Sequence, residues 1–232
     1  MAKIDLKSAY RSVGIHPSQY QFAGLQWHFE GQSAPTYMVD TRLMFGASQA
    51  VGIFHRLSNS IVRMVKRRNI IGEVVNYLDD FLLIAPTKHQ CQVLMDEVLK
   101  LIVSLGFDIN KQKLVYPAQV VTFLGIEINS VTLNLAIPLK KLSEIQSKLS
   151  TWMGKKSATK RELQSLAGTI AWGAKCIRAI RPILRNVIDL YKGLKSPSHH
   201  ARLLSCIKSD VLFLIEWCKN FNGVSFASKA ET

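Results

Sequence analysis

"VVNYLDDFLLIAP" (residues 74–86) sets two adjacent carboxylates, Asp79 and Asp80, inside the most water-averse run of the chain. Val74, Val75, Tyr77 and Leu78 precede them, and Phe81, Leu82, Leu83 and Ile84 follow; all are side chains that gain from burial. The β-branched and aromatic content predicts two strands, 73–78 and 81–85, with Leu78-Asp79-Asp80 as the hairpin between them. A tight turn interrupts the alternation that sends neighbouring side chains to opposite faces, so both carboxylates can project from one rim. One turn aspartate is explained by local capping of backbone N–H groups. Two adjacent like charges repel unless a cation offsets them.

Working outward from this hairpin, residues 2–6 (AKIDL) read as a short strand. Residues 20–29 and 36–40 alternate around "EGQSAP", a hairpin-like excursion with Gly31 and Pro35 as turn residues. From Ser48, the spacing of Val51, Phe54, Leu57, Ile61 and Val65 predicts a helix that ends in Lys66-Arg67-Arg68 before Gly72. Thr87-Lys88-His89-Gln90 fits a capping box and opens a second helix with Leu94, Val98, Leu101, Ile102 and Leu105 on one face, stopped by Gly106. Strands are expected near 107–109, 113–117, 120–128 and 131–136. Without the excursion, residues 1–117 run β-α-β-β-α-β, the order of a ferredoxin-like split βαβ antiparallel sheet covered by two helices.

Past residue 137 the period is helical throughout. Pro138 suits a first helical position, and Leu142, Ile145, Leu149 and Trp152 share a face. Thr159 and Glu162 form a second capping box, leading Leu163, Leu166 and Ile170. Further helices are expected over 175–193 and 199–220, with Trp152, Trp172 and Trp217 in the core. The fold class is α+β, with one domain over 1–137 and a basic, all-helical one over 138–232.

The chain carries a net charge of +14, unevenly placed. Residues 1–137 hold a cationic surplus of three and residues 138–232 a surplus of eleven. A surplus of that size in the helical half points to a polyanionic partner such as nucleic acid, against the plainer alternative of solvated helix faces. No stretch approaches the ~18 consecutive apolar residues of a membrane span. The first residues, MAKIDLKSAY, lack a signal-peptide core. Four cysteines without a C-x-x-C pair disfavour a disulfide framework or zinc site. A soluble, intracellular protein without a membrane partner is expected.

Hard divalent cations suit a few carboxylates and keep open positions for phosphate oxygens. In the predicted topology the first strand neighbours the central hairpin, so Asp5, at that strand's end, can join Asp79 and Asp80. Three convergent carboxylates beside a basic domain fit two-metal phosphoryl transfer.

At this point the residues carry a resemblance to reverse transcriptases. "YLDD" (77–80) resembles the family's Y-x-D-D box, and "KIDLKSAYRSVGIHP" (3–17) its motif A, an Asp followed five residues later by an aromatic. "LMFGASQAVGIF" (43–54) resembles motif B, "LGFDINKQK" (105–113) the region ending in the motif D lysine, and "VTFLGIEI" (121–128) the primer grip. All five stand in family order and cover residues 3–128. The helical half, with "TKRELQSLAGTIAWGAK" and "FLIEWCKNFNG", is similar to the thumb and connection of retrotransposon enzymes, most like the DIRS-like group, with gypsy-like elements next.

The resemblance implies a palm over 1–137 with a remnant of fingers, and a thumb and connection over 138–232. It implies that Asp5, Asp79 and Asp80 bind two Mg²⁺ (or Mn²⁺) ions and that a primer 3′-OH attacks the α-phosphate of a dNTP. Tyr10 would sit under the sugar and exclude a ribose 2′-OH, or else is an aromatic core residue. Phe45, Gly46 and Tyr77 would bind the nucleotide; Lys113 would protonate the departing pyrophosphate, or else is an exposed strand lysine. Phe123, Leu124 and Gly125 would hold the primer backbone. The implied partners are an RNA/DNA template–primer duplex and dNTP, with upstream fingers and a downstream ribonuclease H of the same polyprotein.

Met44 and Val51 depart from the prolines common in motif B. Motif A begins at residue 5, so most of the fingers are expected to be missing, with primer extension by this chain alone near background. Two readings follow: an RNA-directed DNA polymerase domain of a retrotransposon, or a catalytically inactive, polymerase-derived nucleic-acid-binding module.

Overall fold

The computed structural model of the chain describes residues 1–177, 180–220 and 222–226. The backbone resolves into two compact units, Met1–Val121 and Thr122–Thr232.

In the first unit, β1 (Ala2–Asp5) leads through a short 3₁₀ turn at Ala9–Ser12 and another at Pro17–Phe22 into an exposed ribbon, β2 (Gly24–Trp27) and β3 (Thr36–Val39). Helix α1 (Ala50–Lys66), β4 (Glu73–Tyr77), β5 (Asp80–Ile84) and α2 (Lys88–Ser104) follow. The sheet order is β1-β5-β4, antiparallel throughout, so β5 is central and β1 lies directly against it. Ile4, Phe81 and Leu83 are fully enclosed with Phe54 and Ile61 of α1 and Leu94, Met95 and Ile102 of α2. A buried hydroxyl ties helix to sheet: Ser58 accepts a hydrogen bond from the Asn76 side chain at 2.9 Å and donates to the His55 carbonyl.

The expected fourth strand is much reduced. Residues 107–117 form no continuous strand; they join the sheet through isolated bridges, Leu6 with Ile109 and Lys3 with Val115, and through backbone bonds such as Lys7 N–H to the Asp108 carbonyl. Thr87 caps α2 by accepting from the Gln90 N–H, but its hydroxyl donates to the Gln90 side chain, so the reciprocal half of the expected box is replaced by a side-chain bond.

The boundary between the units falls inside β6 (Val120–Phe123). The single strand expected over 120–128 is a hairpin, β6 and β7 (Ile126–Asn129), because Leu124 and Gly125 both take positive φ (49° and 79°) and reverse the chain. Strand β8 (Asn134–Ala136) is shorter than the expected 131–136. Strands 122–136 therefore group with the helices, and the division at 121/122 differs from the domain limit read near 137; Ile126 and Ile137 pack on the helical core.

The helices begin with α3 (Leu139–Met153), which starts one residue after Pro138. Then come β9 (Ser157–Thr159), α4 (Lys160–Gly173), α5 (Arg181–Lys192), β10 (His200–Arg202), α6 (Ser205–Asn220) and β11 (Val224–Ser225). Thr159 and Glu162 complete the expected capping box of α4. Two helices are shorter than their patterns: α5 starts at Arg181, and β10 takes the first residues of the stretch read as helix from 199. Residues 178–179 of the first of these, and 221 and 227–232 of the tail, lie outside the described residues. Trp152 is buried with Leu142, Ile145, Leu149, Leu163 and Leu166, while Trp172 and Trp217 pack partly buried against them. No helix among the described residues is long and apolar enough to cross a membrane.

Candidate active site

The rim of the first sheet is built by β1 and the β4–β5 hairpin. Asp5 is the last residue of β1 and stands directly opposite Asp80, the first residue of β5. The connection from β4 to β5 is only Leu78-Asp79, with Tyr77 and Asp80 closing the ladder. Leu78 takes φ 54°, a left-handed conformation that disfavours a branched side chain and is kept here at a rim position. Two backbone bonds fix the neighbourhood: the Leu6 N–H donates to the Asp79 carbonyl at 3.0 Å, and the Asn110 N–H to the Asp5 carbonyl at 2.9 Å. Asp5, Asp79 and Asp80 are thus brought to one place although over seventy positions separate the first from the others.

Their electrostatics follow from that placement. Asp5 is 4% exposed, and its Oδ2 accepts a hydrogen bond from Lys113 Nζ at 3.1 Å. Lys3 Nζ lies 2.9 Å from Asp80 Oδ1, but without hydrogen-bond alignment, and no donor among the described residues satisfies that buried oxygen. Burial pushes the Asp79 carboxyl above its ordinary range, and the charges of Asp80 and Asp5 push it further. The hydrogen bond to Asp5 raises the Lys113 ammonium above its ordinary range, so it stays protonated near neutrality. Lys3 was not singled out by sequence reasoning, although strand alternation places it on the same face as Asp5.

Among the described residues no group of three or more His, Cys, Asp or Glu side chains forms a ready-made metal cage. The donor chemistry nevertheless fits a hard cation. Three carboxylates share the rim, one oxygen lacks a hydrogen-bond donor, and two lysines supply the countercharge that a divalent ion would otherwise bring.

Tyr10 emerges from the 3₁₀ turn after β1. Its ring stacks on Phe54 (centroids 5.0 Å apart, planes at 26°) and meets Phe45 at 5.1 Å and 45°. Tyr10 is therefore part core and part surface, with the enclosed Phe54 beneath it and the 71% exposed Phe45 beside it. Gly46 takes φ +88°, and a Cβ there would meet nothing within 4 Å, so backbone conformation, not crowding, calls for glycine. Tyr77 is 57% exposed, across the ladder from Asp80. Phe123, Leu124 and Gly125 belong to the β6–β7 hairpin: Phe123 is buried, Leu124 exposed, and a Cβ on Gly125 would lie 3.3 Å from the Trp172 ring.

Comparison with known proteins bears on the family and the fold. Residues 1–128 match the family described as reverse transcriptase (RNA-dependent DNA polymerase). The Gag-Pro-Pol polyprotein of Human T-cell leukemia virus 2 is 26% identical over 84% of this chain, and the genome polyprotein of Petunia vein clearing virus (isolate Shepherd) 21% identical over 96%. The chain spans only 13% and 10% of those two relatives. Among solved structures, a foamy viral protease-reverse transcriptase in complex with RNA/DNA hybrid shares the fold, with a TM-score of 0.73 at 16% identity over 97% of this chain and 28% of that one. The same foamy viral enzyme in complex with dsDNA gives a TM-score of 0.71 at 16% identity, over 97% of this chain and 42% of that one. With more than half of its length matched by the family and the Y-x-D-D turn beside the motif A aspartate, the chain belongs to the reverse transcriptase (RNA-dependent DNA polymerase) family.

Proposed function

We propose that the chain carries the polymerising centre of a retrotransposon or related reverse transcriptase, which joins dNTPs to a primer 3′-OH on a nucleic-acid template. The observation that carries this reading is the pairing of Asp5 with Asp80 across β1 and β5 with Asp79 in the adjoining turn. Reverse transcriptases generally use divalent metal ions, and Asp5, Asp79 and Asp80 are the residues that would hold two Mg²⁺ or Mn²⁺ here. Such ions supply Lewis-acid stabilisation of the attacking and leaving oxygens.

The remaining work falls to the chain's own side chains. Lys113, protonated and hydrogen-bonded to Asp5, would pass its proton to the departing pyrophosphate oxygen once that hydrogen bond is released; its raised ammonium supports the role of acid. Tyr10 and Phe45 form an aromatic step for the incoming sugar, with Phe54 holding Tyr10 from below; a ribose 2′-OH would press against that ring. Gly46 gives the adjoining backbone its turn, and Tyr77 flanks Asp80. In the second unit, the tight Phe123-Leu124-Gly125 hairpin would support the primer backbone and the basic helices the duplex. Upstream fingers and a downstream ribonuclease H are the proposed neighbours in a longer polyprotein. The helical half resembles the DIRS-like group, which is the grouping we favour.

The test uses a chain-terminated primer annealed to an RNA template, with Mg²⁺ present. The dNTP complementary to the templating base should slow dissociation of the duplex from the chain, and a mismatched dNTP should not. Equal effects of all four dNTPs would favour the inactive nucleic-acid-binding module instead.

A further inference from the structure

We propose that the β9–β10 ribbon of the second unit is a contact surface for the phosphate backbone of nucleic acid, a reading that builds on the polymerase function and locates one of its duplex contacts. The strands pair antiparallel, His200 with Thr159, Ala201 with Ala158 and Arg202 with Ser157. Ala158 is fully buried, so alternation turns Ala158 and Ala201 inward and His200, Arg202, Ser157 and Thr159 outward. Exposed Lys156 and Arg161 flank β9, and exposed His199 precedes β10. Lys195 is also exposed, next to Leu194, whose carbonyl accepts from Lys160 Nζ at 2.5 Å.

Three features separate this patch from an ordinary solvated face. First, Lys156, Arg161, Lys195 and Arg202 make no ion pair among the described residues, whereas the carboxylate of Glu162, next to Arg161 in sequence, is taken by Lys155 and the capping box. Second, the surface is braced by backbone bonds, with Lys160 N–H donating to His199, Arg161 N–H to Pro197 and Leu203 N–H to Lys156. The cations therefore stand on a preorganised platform, and less ordering opposes binding. Third, His200 and Arg202 lie two strand positions apart, roughly 6.6 Å, comparable to the step between adjacent phosphates of one strand. The outward hydroxyl of exposed Ser157 adds a hydrogen-bonding group suited to a phosphate oxygen, while that of Thr159 is committed to the α4 capping box. The ribbon carries no large apolar side chain to enter a lipid surface, which favours nucleic acid over an anionic membrane.

Duplex binding by residues 1–232, followed by fluorescence anisotropy across a salt series, tests this. Each phosphate contact contributes roughly 0.9 to the slope of log K against log salt on duplex. The variant Lys156→Ala/Arg161→Ala/Arg202→Ala should lower that slope by about 2–3, the single change Arg202→Gln by about 0.9, and Arg202→Lys should leave it unaltered. An unchanged slope in the triple and single variants overturns the ribbon proposal. So does loss of binding to phosphatidylserine vesicles with the duplex slope intact. Absence of any duplex binding by the unaltered chain would instead overturn the polymerase reading itself.

Discussion

Replacing Asp79 and Asp80 together by asparagine should erase a stabilisation that only the carboxylates can give. In the metal-free protein the two changes oppose each other. Asp79 is held above its ordinary range by burial and by its acidic neighbours, so asparagine removes a disfavoured charge there. Asp80 balances Lys3, with side chains 21% and 16% exposed, and asparagine leaves that partly buried ammonium without its counterion. The net metal-free change should be small. With a divalent ion at ~100 times its dissociation constant, a ligand bound only by the folded state adds about 2.7 kcal/mol. For a chain of this length 1 kcal/mol moves the midpoint by about 2–4 °C, so the unaltered protein should gain roughly 5–11 °C. Differential scanning fluorimetry with Mg²⁺, Mn²⁺ and a matched Na⁺ control reads this directly. A double variant that keeps the full divalent shift would refute the assignment of these carboxylates as ligands.

Tyr10→Val should let a ribonucleotide slow duplex dissociation as well as the matching dNTP does; if discrimination persists, Tyr10 serves packing on Phe54 alone. The hydrogen bond from Lys155, with those from Thr159, lowers the Glu162 carboxyl to about 2 from an ordinary 4.5. Its stabilisation is therefore present above pH ~4.5 and lost as pH falls towards ~2. Glu162→Gln, which keeps the cap but not the ion pair, should shrink the drop in urea midpoint between neutral and acid pH; an unaltered drop would remove the pair from the account. Gly125→Ala should destabilise the second unit by about 1–2 kcal/mol, since φ +79° is strained for alanine and Trp172 would stand 3.3 Å from the new methyl. A neutral effect in chemical unfolding would show that the hairpin relaxes freely.

Much of the first unit was legible because its signals are local. The two apolar arms on either side of the aspartates mark the central hairpin, and the period of Phe54, Ile61 and Val65 marks the buried face of α1. Asp5 was reachable only through topology, and the β1–β5 register places it against Asp80. The weaker parts depend on what periodicity does not report. Residues 120–128 read as one strand because nothing in an alternation pattern marks Leu124, a β-compatible residue, as left-handed; Gly125 was the available signal. Residues 199–204 read as helix because β10 is a three-residue strand held by β9, a distant partner. Alternation along β1 put Lys3 on the face of Asp5, but its contact with Asp80 across the β1–β5 ladder, and that of Lys113 from a turn over a hundred residues away with Asp5, depend on side-chain reach that spacing along the chain does not encode.

Under the proposed function, Asp5, Asp79 and Asp80 act together as one two-metal site. Electron paramagnetic resonance of Mn²⁺ added to the chain with chain-terminated primer–template and the complementary dNTP counts the ions held. Two bound Mn²⁺ per chain are expected, with loss of at least one on changing Asp5→Asn alone. Equal Mn²⁺ occupancy in the unaltered chain and the Asp5→Asn variant would contradict that assignment.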